Sequence, residues 1–103
     1  MAVDFLSVAE DELVEAVSYY SQQSDGLGFD FAAEVRQTID RIVEYPLAWP
    51  MLSRRTRRCR MRRFPHGIVC QQRGELILIV AIMHLRRHPD SWKDRPVSGE
   101  TRL

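Results

Sequence analysis

Between Leu76 and Met83 eight apolar residues follow one another without interruption, so both alternating faces of the segment are apolar. A helix that crosses a membrane needs about 20 such residues, so a run this short predicts a β-strand buried on both sides. Such a strand belongs in the interior of a sheet. The rest of the chain must then cover two faces. Helices can take one, and either a partner or the C-terminal Asp90-Ser91-Trp92 segment must take the other.

The helices are legible upstream. Leu13, Val17 and Tyr20 recur at i, i+4 and i+7, and Phe31, Val35, Ile39 and Ile42 at i, i+4, i+8 and i+11. Both are apolar stripes of helical period. Ser7-Val8-Ala9-Glu10 has the form of a capping box, with Glu10, Asp11 and Glu12 in the first turn behind it. Ser24 to Gly28 reads as a turn and Pro46 closes the second helix, which predicts an antiparallel helical hairpin. Asp30, Glu34, Asp40 and Glu44 are expected on its solvent face.

Ahead of the hairpin, Ala2 to Leu6 reads as a short edge strand. Behind it, Pro46 to Pro50 forms a loop around Trp49, and Cys59 to Arg62 alternates like a half-buried strand. Pro65-His66-Gly67 is expected to be a turn with His66 at the surface, leading to a strand through Ile68, Val69 and Cys70. Arg73-Gly74 turns the chain into the long apolar strand. The predicted fold class is α+β, in the order β-α-α-β-β-β, with the helical hairpin on one face of a curved, mainly antiparallel sheet. One domain is expected over 1–95, with a loose polar tail over 96–103.

Charge is sorted along the chain. Residues 1–50 hold ten acids and two bases, whereas residues 51–103 hold 13 bases and four acids. Seven arginines fall between Arg54 and Arg63 with no acid among them. Guanidinium forks match phosphate and carboxylate geometry, so a polyanion or an acidic protein segment is the natural counterpart. The alternative is a strand edge on which arginines discourage edge-to-edge pairing. In the first reading, alternation puts Arg58, Arg60 and Arg62 on one face, with Cys59 and Met61 packed behind.

A second constellation, His84 to Trp92, lies where the apolar strand leaves the sheet. Its histidines can move protons near neutral pH, its arginines can steady charge on a phosphate, and Trp92 can stack on a base. Equally, Trp92 can plug the far side of the sheet while the arginines pair with Asp90 and Asp94. His84 and His88 have a spacing that suits metal only on a helix, which Pro89 opposes. No metal and no cofactor is expected. No phosphate loop, nucleophile elbow or catalytic thiol is present, and no export signal opens the chain. Cys59 and Cys70 are read as reduced cytosolic thiols.

Taken together, these segments make the chain similar to toxins of the RelE/ParE superfamily, from bacterial type II toxin–antitoxin modules. The resemblance runs from about Val8 to Arg95. It rests on the acidic hairpin ending in Tyr45-Pro46, the Arg60 to Pro65 block, the strand after Arg73-Gly74-Glu75, and above all His84 to Trp92. It implies a cytoplasmic protein, with no membrane partner, whose growth-arresting action a cognate antitoxin neutralises. An antitoxin with an acidic, amphipathic C-terminal segment is expected to bury Ile77 and Ile79 and to cover Arg60 and Arg62.

The superfamily carries two activities on one fold. RelE-like members cut messenger RNA on the ribosome without metal, through attack by a ribose 2′-hydroxyl. Carried onto this sequence, Arg60 and Arg62 hold phosphate, Arg86 or Arg87 stabilises the transition state and His84 shuttles a proton. ParE-like members interfere with DNA gyrase, and Arg58, Arg60, Arg62 and Trp92 are then target-binding residues. Trp92 stands where RelE-like nucleases place a tyrosine, and Lys93 is the only lysine where they use a pair. Both departures favour the gyrase reading over the nuclease. A non-toxic binding module is the third reading.

Overall fold

In the computed structural model, residues 1–87 and 89–95 are described; His88 and the expected tail over 96–103 lie outside them. The elements are β1 (Ala2–Phe5), α1 (Ser7–Gln23), α2 (Leu27–Glu44), β2 (Arg57–Arg60), β3 (His66–Arg73) and β4 (Leu76–His84). They form an α+β fold in the expected order. The open sheet runs β1-β4-β3-β2, with β1 parallel to β4 and the other pairs antiparallel. The apolar run is therefore interior, as its two-faced pattern requires.

The two faces of β4 feed two cores. Ile77, Ile79 and Ile82 pack beneath the helices with Phe31, Val35, Ile42 and Ile68. Leu78, Val80, Ala81 and Met83 join Val69 on the opposite face, beneath Leu6, Leu52, Leu85 and Trp92. The chain thus covers its own second face, using the segment that follows β4 and the loop before β2.

Strict alternation from Ile77 and Ile79 would send Ala81, not Ile82, toward the helices. A β-bulge changes the parity: Cys70 pairs with Ile79 and Val69 with Ala81, leaving Val80 as an extra residue. At this level β1 has already ended, its last link being the Leu6 N–H to the Ile79 carbonyl at 2.9 Å. Side chains replace the missing strand. Glu12 Oε1 accepts the Ile82 N–H at 2.9 Å, and Arg95 Nη1 donates to the Val80 carbonyl at 2.9 Å. The two side chains bind each other through a fork of 2.8 and 2.7 Å.

Helix α1 starts without the expected capping box. Ser7 is already helical, and the cap position is Leu6, in extended conformation and without a side-chain cap bond. Because Leu6 still donates to β4 while its carbonyl accepts from the Ala9 and Glu10 amides, strand passes directly into helix. Helix α2 is preceded by Gly26 at its cap position, whose φ of +81° suits glycine. Pro65-His66-Gly67 also departs from expectation: His66 and Gly67 belong to β3 and both are buried.

Gly28 sets the spacing of the hairpin. A Cβ there would lie 2.0 Å from Ser21 Oγ and 2.5 Å from the Val17 carbonyl oxygen. Gly28→Ala should therefore destabilise the fold by about 1–3 kcal/mol in urea denaturation, the range for overpacking. Adding Ser21→Ala should recover only part of the loss, because the Val17 carbonyl stays in place.

Candidate target-binding grooves

The arginine run does not make a single strip. Residues 50–57 fold back along β2: the Pro50 carbonyl accepts the Arg58 N–H at 3.0 Å, and Leu52 donates to Thr56 at 2.7 Å. Arg54 and Arg55 are thereby exposed on that loop. Arg57 is structural, donating from Nη1 to the Leu47 and Trp49 carbonyls at 3.2 and 2.8 Å. Cys59 points into the helix-side core, which leaves Arg58 and Arg60 on the other face of β2.

Arg62 lies past the end of β2, so the expected three-arginine strand face is only two residues long. Arg62 nevertheless joins the same groove through a bend. The Arg62 N–H donates to Glu34 Oε2, and the Arg63 N–H donates to the same oxygen at 2.9 Å. Two successive amides on one carboxylate fix the backbone there, while both side chains stay outside. The resulting groove, about 620 Å³, is lined by Arg58, Arg60, Arg62, Arg63 and Arg86 over Met61, Phe64, Pro65 and Leu85. A second groove of about 440 Å³ holds Arg54, Arg55, Arg57 and Arg73 with Pro46, Leu47, Cys70 and Ile77.

The turn after β4 splits the second constellation. His84 Nδ1 accepts the N–H groups of Arg86 and Arg87, both at 3.2 Å. Arg86 goes to the five-arginine groove, whereas His84 and Arg87 line a cleft of about 430 Å³ with Glu15, Tyr19, Tyr20 and His66. His66, expected at the surface, is 7% exposed. Its ring stands 4.9 Å from Phe31 and 5.1 Å from His84. Burial, helped by His84 and Arg87 and opposed by Glu12, lowers its pKa to about 4. Burial likewise raises the Tyr20 phenol and pushes the Cys70 thiol up to about 12, so both stay protonated near neutral pH. Among the described residues, no group of three or more His, Cys, Asp or Glu side chains could hold a metal, and no helix could cross a membrane.

The family model for the ParE toxin of the type II toxin–antitoxin system parDE matches residues 3–89. The chain belongs to the ParE toxin family. The fold is also similar to a solved chain titled "Chromosomal ParDE TA system from P. aeruginosa", with a TM-score of 0.59 at 14% identity. That match spans 82% of this chain and 95% of the other. No curated protein matches.

Within this ParE-family chain, several expected site residues have other work. Ile77 and Ile79, read as antitoxin contacts, are 1% and 0% exposed because they pack beneath the helices. The second face belongs to the opposite parity and is already covered. Trp92, read as a stacking residue, is part of that cover, with Lys93 Nζ 5.8 Å from its ring centroid. Lys93, not an arginine, pairs with Asp90, at 3.2 Å. His84, Arg86 and Arg87 do not converge on one site. Arg58, Arg60 and Arg62 do.

Glu34, which shapes the groove through the Arg62 and Arg63 amides, departs from its expected place. It was expected in solvent, yet it is 5% exposed. The signal was present: Phe31, Glu34, Val35, Thr38 and Ile42 follow i, i+3, i+4, i+7 and i+11, and all are buried. Glu34→Ala should cost about 2–4 kcal/mol by stranding two amides, measured by chemical denaturation. Glu34→Gln, which keeps an acceptor, should cost less.

His66 predicts a pH dependence. With a folded pKa of about 4 against 6.5 unfolded, the unfolded chain takes up the proton first. Stability should therefore fall as pH drops from about 6.5 to about 4, by roughly 3 kcal/mol from this group, then level off. Replacing His66 with Phe should flatten that part of the stability–pH profile relative to the parent.

Proposed function

We propose that this ParE-family toxin arrests bacterial growth by interfering with DNA gyrase, and that a cognate antitoxin neutralises it. The observation that carries the reading is the composition of the five-arginine groove. It gathers guanidinium groups able to grip an anionic surface, and among the described residues its lining contains no histidine, tyrosine or carboxylate. Cleavage by a 2′-hydroxyl needs a group that takes and returns a proton beside the gripped phosphate. His84, the assigned shuttle, lines a different cleft and holds two backbone N–H groups through Nδ1. Gripping without proton transfer favours a binding toxin over a RelE-like ribosome-dependent endoribonuclease.

For the antitoxin, the second groove offers the chemistry that an acidic, amphipathic segment needs. Leu47 is 67% exposed there, beside the exposed Arg54. A segment that orders on binding can bury the one and pair with the other.

Expression of the chain without an antitoxin should stop colony growth and leave messenger RNA intact, while purified protein inhibits gyrase supercoiling. The Arg60→Ala/Arg62→Ala double variant should lose that inhibition by roughly tenfold or more at unchanged thermal stability. Codon-aligned cuts in translated RNA with normal supercoiling would replace this reading with the nuclease. Unimpaired growth at good soluble yield would point to a non-toxic module.

A further inference from the structure

We infer that the groove of Arg58, Arg60, Arg62, Arg63 and Arg86 receives the phosphodiester backbone of duplex DNA, so that the toxin touches the DNA held by gyrase as well as the enzyme. The inference rests on the gyrase reading above and names the partner of the same site. Three features of the groove choose that partner.

First, the lining is cationic and, among the described residues, holds no carboxylate of its own. Among the described residues Asp30 pairs with Arg63 at 3.6 Å, with side chains 48% and 62% exposed. A solvated pair of that length is weak enough for a phosphate to compete with it. Second, the two large side chains of the floor, Met61 and Phe64, are 6% and 7% exposed, so Pro65 and the half-buried Leu85 supply what apolar surface a peptide would meet. The exposed Leu47 lines the other groove. Third, the aromatic ring in the described lining is Phe64, which is buried and so offers no face for base stacking, and the half-buried Trp92 lies outside that lining, packed against the sheet. Proteins that hold single strands combine charge with such platforms. Charge without them suits contacts to the phosphates of a duplex, which carry no sequence information.

The groove is also held in shape before any ligand arrives. Glu34 fixes the amides of Arg62 and Arg63, and Arg41 Nη2 donates to the Arg60 carbonyl at 3.4 Å. Ordering of the backbone therefore subtracts little from binding.

Fluorescence anisotropy of a labelled 20-base-pair duplex of mixed sequence, titrated with purified protein across a salt series, tests this. Binding should weaken linearly in log–log form as salt rises, by about 0.9 in slope for each phosphate contacted. Arg60→Ala/Arg62→Ala should reduce the slope by about two and weaken binding roughly tenfold or more, whereas Arg36→Ala, an exposed α2 residue outside the groove, should change neither. Arg60→Lys/Arg62→Lys should keep the slope and so separates lost charge from lost fold. Polyglutamate and a single strand of equal charge should bind at least tenfold more weakly than the duplex. Equal or tighter binding of polyglutamate through Arg60 and Arg62, or duplex binding indifferent to the double alanine variant, overturns the inference. Supercoiling assays on the same proteins keep the two readings apart. Inhibition without DNA binding sinks this inference and leaves gyrase as target; DNA binding without inhibition sinks the gyrase reading and leaves the groove as a DNA site.

Discussion

A strand that is apolar on both faces has to be enclosed, and the enclosure of β4 organises the rest of this molecule. Its position between β1 and β3 satisfies most of its backbone; the helices and the segment beyond β4 satisfy its side chains. Large aliphatic side chains gain roughly 1.5–3 kcal/mol each from full burial, and β4 contributes them to two cores. Alternation lets one strand serve both, and the bulge at Val80 switches the parity, turning Ile82 toward the helices after Val80 and Ala81 have faced the other way.

Carboxylates from the acidic half then complete what the sheet leaves open. Glu12 takes an amide at the bulge and Glu34 takes two amides at the Arg62–Arg63 bend. Neither spends its charge on the guanidiniums of the five-arginine groove. The segregation of acid from base thus has an internal use as well as an external one: Glu12 and Glu34 from the helices bond backbone in the basic half, and the side chains of Arg60, Arg62 and Arg63 are left exposed. Because a carboxylate at such a bend fixes main chain while sparing side chains, the groove is firm and still strongly cationic.

Periodicity made much of this legible from sequence. The interior strand, both helices and the hairpin between them follow from where Leu76 to Met83, Phe31 to Ile42 and Leu13 to Tyr20 place their apolar residues. What failed was the treatment of polar residues by type and not by position. Glu34 was assigned to solvent because it is charged, although its helical phase is that of Phe31 and Ile42; His66 was assigned to a turn because Pro65 and Gly67 flank it. The parity of β4 was unreadable for a different reason. A bulge depends on which partner residues face it across the sheet, and no local pattern in β4 encodes that. The same long-range pairing divided the arginine run between two grooves, where simple alternation suggested one.

The fork between Glu12 and Arg95 also bears on the order in which the protein matures. Strand β1 finds its partner only after more than 70 further residues have been made, since Ala2 pairs with Leu76. Closure of the outer face comes later still, because Trp92 and Arg95 follow β4. A nascent chain on the ribosome therefore carries Val69, Leu78 and Val80 without Leu85 and Trp92 over them until that stretch has emerged. Pairings so distant in sequence slow folding and lengthen the exposure of sticky surface. Completion of this fold is thereby deferred until Trp92 and Arg95 have been made.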